Sequence, residues 1–140
     1  IELRSPDADV LASMQRHLEA HASSVAERDG VRVAMEPWHV APPVAMDPRL
    51  VAATRQGLQD VGLEDRVMPS WAGHDAKVLA RRMPVGMLFV PSVDGISHAP
   101  GEDTAAKHLA VAADALHASA LRALDALAAS AERDGDASGG

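Results

Sequence analysis

Two histidines stand in glycine-bearing turns of this sequence. His74 lies in Pro69-Ser-Trp-Ala-Gly-His-Asp-Ala76, and His98 in Gly95-Ile-Ser-His-Ala-Pro-Gly-Glu102. A neutral imidazole is a common metal ligand. His98 sits between Gly95 and Pro100 on a short loop that holds the ring at little entropic cost, and it is the strongest metal-ligand candidate. The chain has no cysteine, so thiolate sites and disulfides are excluded and any metal must be held by histidine and carboxylates. His74 has two readings: a histidine bonded to the backbone of its own loop, or a wall residue beside substrate or metal. Asp75 can orient a ligand from behind. Ser92 and Ser97 read as loop hydrogen-bonders, because no separate histidine–carboxylate arrangement marks a serine triad. His17 and His21, four apart, have a spacing that can bind metal; without a nearby carboxylate motif they read as a solvated helix face.

These turns need elements to hold them. Val85 to Val90 is apolar or glycine throughout, which predicts a strand buried on both faces, and it stops at Pro91. Val67-Met68 reads as a short strand leading to His74. Both histidines would then stand at the edge of one sheet, where α/β proteins place ligands. Ile1 to Arg4 reads as a strand end, Asp9 to Arg28 as an amphipathic helix closed by Asp29-Gly30, and Val31 to Met35 as an alternating strand, so the first part predicts a small α/β layer. Trp38 covers the edge of that layer, and His39 is a linker residue. Asp47-Pro48 starts a second helix with Leu50, Val51, Thr54 and Leu58 on its buried face; Gly57 weakens it and Gly62 ends it. Asp75 to Arg82 forms a third helix. A long last helix, capped by Asp103 or Thr104, keeps Leu109, Ala113, Leu116, Ala120, Leu124 and Leu127 on one apolar face. His108 and His117 lie off that stripe and read as exposed. Beyond Ser130 the composition reads as a disordered tail.

The bulk properties set bounds. With 140 residues, 47% of them hydrophobic, the chain is long enough for a domain with a real core. A formal charge of −7 argues against nucleic acid as a partner. No apolar run approaches the roughly 20 residues of a membrane span. The absence of cysteine suits a cytoplasmic hydrolase, and a sequence that opens at Ile1 inside an expected strand reads as a fragment.

Three ordered blocks give this reading a family. Ser70, Ala72, Gly73, His74, Asp75 and Ala76 form the first; Met87, Phe89, Val90, Pro91 and Ser92 the second; Gly95, Ile96, Ser97, His98, Pro100 and Glu102 the third. Together they resemble the dizinc amidohydrolases that include allantoate amidohydrolase, N-carbamoyl-L-amino-acid amidohydrolase and β-ureidopropionase. Trp71 departs from that pattern, which has glycine there; either its ring blocks the pocket or strains the turn, or it points outward on an acceptable backbone.

The resemblance implies a fold and a set of roles. The fold class is α/β: residues 1–44 end a small dimerisation or lid domain, 45–130 are the last segment of a three-layer catalytic domain, and 131–140 are the tail. His98 would ligate the second of two zinc (or manganese) ions, and His74 would line the substrate site. Arg4, in Glu2-Leu3-Arg4, would reach the active site across a homodimer and clamp the substrate carboxylate, a task suited to a guanidinium. Gly73, Asp75, Ser97 and Glu102 would fix the loops around these residues. In the intact enzyme a metal-activated water would attack a carbamoyl or ureido carbon. The bridging aspartate, the other histidine ligands and the general-base glutamate of the family have no counterpart here, so the chain alone is expected to be inactive. The competing reading is a non-catalytic α/β dimerisation module or a degenerate relic.

Overall fold

The computed structural model describes residues 1–137, with side chains placed through Ala131. Among the described residues there are four α-helices, α1 (Ala8–Asp29), α2 (Pro48–Asp60), α3 (Asp75–Leu79) and α4 (Ala106–Ala137), and a 3-10 turn at Val93–Gly95. The chain forms two units. The first comprises Ile1–Ala45 with Pro69–Gly73; the second comprises Met46–Met68 and the chain from His74 onward.

Helix ends follow local chemistry. The Asp7 carboxylate accepts from the Asp9 and Val10 amides at the start of α1. Gly30, at φ 65°, closes that helix in the left-handed region, its N–H donating to Ala26. Asp47 caps α2 with Pro48 in its first turn. Reading α3 to Arg82 is too long: the helix ends at Leu79 and continues as turns. Neither Asp103 nor Thr104 caps α4. The Asp103 carboxylate accepts from the adjacent Thr104 amide, and the helix opens at Ala106 with Ala105 accepting from His108 and Leu109. α4 runs past Ser130 to Ala137, through the first part of the expected tail; residues 138–140 lie outside the described residues.

The expected sheets are not seen: among the described residues there is no strand. The reason is pairing, because a strand exists only beside a neighbour that takes its backbone bonds. Val31–Met35 has one backbone bond, the cap bond from the Val31 amide to Ala26. Val33 and Met35 line a shallow hollow with Glu19, Ala22, Ser23, Ala26 and Glu27 of α1. Across Val85–Val90 the only backbone bond is from the Asp47 amide to the Val85 carbonyl, at 2.9 Å. Trp38 is 92% exposed and therefore does not serve as the expected cover; its ring centroid lies 5.7 Å from that of His39.

In the second unit, α2 and α4 pack on each other through small residues. Ala53 and Gly57 of α2 are buried, as are Ala115 and Ser119 of α4. Gly57 is a point of close backbone approach, where a Cβ would meet the Ser119 backbone, rather than merely a weak spot in α2. The Ser119 hydroxyl donates to the Ala115 carbonyl at 2.6 Å, so the polar group is satisfied inside the contact. Arg122 of α4 grips Asp60 of α2 with two hydrogen bonds of 2.8 and 2.9 Å. The core is thinner than expected, with no large side chain fully buried among the described residues. The predicted leucine stripe of α4 is not the packed face: Leu109, Leu116 and Leu124 are exposed. α2 sits instead on the small-residue side, because only small side chains let two helix backbones come this close. His108, expected to be exposed, is half-buried, whereas His117 is exposed.

The acidic groups of this unit make its stability pH-dependent. The Arg49 guanidinium hydrogen-bonded to Asp47 lowers its carboxyl from 3.8 to about 2. Arg122 depresses Asp60, and Arg55 with Gln59 depresses Asp65. Carboxyls that bind protons more weakly when folded stabilise the fold above their unfolded pKa and lose that contribution as pH falls through the folded value. The melting temperature should thus fall as pH drops from about 4 to about 2, and Asp47→Asn should flatten part of that slope. Circular-dichroism melts across this range check it.

Candidate active-site segment

His98 is held by its own loop. The Val93 amide donates to the Asp103 carbonyl at 2.8 Å and closes the loop at its base. Inside it the His98 amide donates to the Glu102 carboxylate at 2.7 Å, and the Ser97 hydroxyl lies 2.9 Å from His98 Nδ1. His98 adopts φ 58°, a left-handed conformation uncommon for a residue other than glycine. Such a conformation costs of order 1–3 kcal/mol and persists where surrounding contacts over-determine it; the Glu102 bond is such a contact. His98 is exposed, with Nδ1 engaged and Nε2 making no hydrogen bond within the described chain.

His74 stands just before α3, extended at φ −136° and ψ 156°. Its carbonyl accepts from the Lys77 amide, and its ring meets Phe89 edge-on with centroids 6.4 Å apart. Its side chain makes no capping bond, and Asp75 is the first residue of the helix. Phe89 was not singled out as a partner of His74; the signal that could have pointed to it is an aromatic ring, the one phenylalanine of the chain, in the apolar run between the two histidine blocks.

Arg4 belongs to the first unit, as do Trp71 and Gly73. Its Nε donates to Glu2 and its Nη1 to the Trp71 carbonyl, both at 2.8 Å. The arginine, half-exposed, thereby ties the chain start to the Pro69–Gly73 segment, a bond that no sequence signal announces. Trp71 is 55% exposed and does not have a positive φ; among non-glycine described residues only Asp94 and His98 do. Its backbone conformation therefore does not require glycine.

The structure groups Ser97, His98 and Glu102 in one loop and sets His74 against Phe89, while Arg4 lies in the other unit. His17 uses Nδ1 on the Ser13 carbonyl of its own helix at 2.9 Å. Among the described residues no three histidine or carboxylate side chains gather where they could hold a metal ion. The residues present therefore do not fit a dinuclear metal site by themselves.

Residues 5–122 match the model of peptidase family M20/M25/M40. The chain belongs to this family. It is 36% identical over 116 residues to allantoate amidohydrolase of Bacillus subtilis (strain 168), and 36% identical over 116 residues to N-carbamoyl-L-amino-acid amidohydrolase of Rhizobium meliloti; each alignment covers 83% of this chain and 28% of the relative. The crystal structure of an amidase of the hydantoinase/carbamoylase family from Burkholderia multivorans superposes with a TM-score of 0.81 at 40% identity, covering 86% of this chain and 29% of that one. The chain thus spans less than a third of the length of these M20 relatives, and its helices form part of the M20 amidase fold. No helix among the described residues is long and apolar enough to cross a membrane.

Proposed function

We propose that this chain is the C-terminal segment of an M20 amidohydrolase that cleaves a linear C–N bond in allantoate or an N-carbamoyl amino acid. The observation that carries the proposal is the loop Val93–Asp103, which fixes an exposed imidazole by a backbone-to-carboxylate bond inside the region matched by the family. His98 would contribute one ligand to a pair of metal ions, zinc or manganese. The remaining ligands and the general base would come from polypeptide outside this chain, so no hydrolytic step is assigned to these residues alone. His74, with its ring steadied by Phe89, would form part of the substrate wall.

Arg4 would recognise the substrate carboxylate across a homodimer. Two of its five N–H donors are taken by Glu2 and the Trp71 carbonyl, which leaves both N–H groups of Nη2 and the second of Nη1 for a carboxylate. A hydrogen bond to a charged group contributes about 1.5–3 kcal/mol, so Arg4→Ala in the complete enzyme should raise KM about ten- to a hundredfold for carboxylate substrates. It should change KM little for the corresponding uncharged amides. Steady-state ammonia release with both substrate classes tests this; equal effects on both would remove Arg4 from the substrate site.

A further inference from the structure

Trp71 stands where the resembled amidohydrolases have glycine, and the structure ties it to Arg4. The Trp71 carbonyl accepts from Arg4 Nη1 at 2.8 Å, and the indole branches from the Cα two bonds from that oxygen. Arg4 and Trp71 belong to the same unit, so the indole accompanies the guanidinium to whichever site Arg4 serves. Trp71 is 55% exposed, so a large apolar ring keeps free surface. Its backbone lies outside the left-handed region, so the residue is carried without that strain. Two positions on, a Cβ at Gly73 would meet nothing within 4 Å, so the segment borders open space.

A carboxylate gripped by Nη1 and Nη2 of Arg4 shares Nη1 with the Trp71 carbonyl. The carbon next to that carboxylate, and whatever it carries, then lies alongside residue 71. In an N-carbamoyl amino acid this carbon bears the amino-acid side chain. In N-carbamoylglycine it bears only hydrogen, and in allantoate it bears ureido groups. We infer that Trp71 is a specificity-determining residue whose indole packs on the substrate's side chain, so that the complete enzyme prefers N-carbamoyl amino acids with a large apolar side chain. An apolar group laid on the indole removes both surfaces from water. Ureido groups in the same place give up hydrogen bonds to water and find only one donor, the indole N–H, in return. A glycine at this position would supply neither the surface nor the penalty. The inference rests on the reading of Arg4 as the group that holds the substrate carboxylate.

The test uses this chain fused behind the missing region of the Burkholderia multivorans amidase, with kcat/KM measured by ammonia release from N-carbamoyl-L-leucine, N-carbamoylglycine and allantoate. The fused parent should prefer the leucine compound to each of the others by about tenfold or more. Trp71→Gly should cut both preferences about tenfold, mainly through KM, because the lost contact is made equally in the bound substrate and the transition state. Trp71→Phe should keep both preferences within about threefold of the parent, since a phenyl ring retains much of the apolar face. Arg4→Ala, which tests the carboxylate reading itself, should lower all three values alike. If Trp71→Gly does not fold by circular dichroism, the parent's own order of substrates decides. If the fused parent folds yet hydrolyses none of the three, the amidohydrolase reading fails on its own, and calorimetric binding of the same compounds decides on Trp71 by the same ratios. A parent that prefers N-carbamoylglycine or allantoate, or preferences that Trp71→Gly leaves unchanged or raises, would overturn the inference.

Discussion

In a protein that joins this chain to the rest of an M20 amidohydrolase, His98→Ala should lower the metal content by about one ion per subunit and reduce turnover more than about a hundredfold. The expectation comes from how the residue is held. A ligand must present a lone pair in a defined direction, and here the Ser97 hydroxyl lies 2.9 Å from Nδ1 while Nε2 makes no hydrogen bond within the described chain. The backbone beneath the ring is held left-handed, against its intrinsic preference, by the Glu102 carboxylate. Investment of this kind at an exposed position points to function rather than packing. Glu102→Ala should therefore act in the same direction with a smaller effect, about ten- to a hundredfold, because the ligand survives but its aim loosens. Metal analysis alongside kcat separates the two: His98→Ala loses an ion outright, and Glu102→Ala weakens its retention. Full metal content with normal turnover in His98→Ala would make the histidine a bystander.

Gly57→Ala should destabilise the second unit although alanine is the better helix former. A Cβ at position 57 would lie 2.6 Å from both Ser119 Cα and Ser119 Oγ, and closer still to the Ser119 nitrogen. The obstacle is largely backbone, so relief requires α2 and α4 to separate. Alanine gains about 0.8–1 kcal/mol of helix propensity over glycine. Overpacking a close contact costs about 1–3 kcal/mol, and here separation would also uncover Ala53 and Ala115. The net loss should be about 1–2 kcal/mol, a fall of roughly 5–15 °C in melting temperature. Ser119→Ala should not rescue it, because the clashing nitrogen and Cα remain. An unchanged or raised melting temperature in Gly57→Ala would show that the helices are not held together at this point.

The Gly30 stop and the Asp47-Pro48 start were legible because local chemistry sets them without a distant partner, whereas the α3 end expected at Arg82 and the α4 cap expected at Asp103 or Thr104 were misplaced. The sheet was not realised for the converse reason. Val31–Met35 and Val85–Val90 carry strand-like patterns, but a pattern states which face wants burial and cannot supply the neighbour. The leucines of α4 mislead in the same way. Periodicity identified an apolar face correctly, while the packed side was chosen by Ala115 and Ser119, whose small size permits contact with Gly57. At the candidate site, His98 could be singled out from its glycine and proline neighbours. Its left-handed backbone could not, because histidine does not announce that conformation. The Arg4 bond to the Trp71 carbonyl spans 67 positions and leaves no trace in local sequence.

The central claim is that this chain holds one part of an amidohydrolase active site and becomes catalytic only when joined to the remainder of the fold. It is tested most directly by metal-dependent ammonia release from allantoate and N-carbamoyl amino acids, measured in parallel for the purified 140-residue chain and for the same chain fused behind the missing region of an M20 relative. The account predicts no release above background from the chain alone with zinc or manganese, and turnover from the fused protein that His98→Ala abolishes. Metal-dependent turnover by the isolated chain, or a folded fusion that releases no ammonia from either substrate, would contradict it.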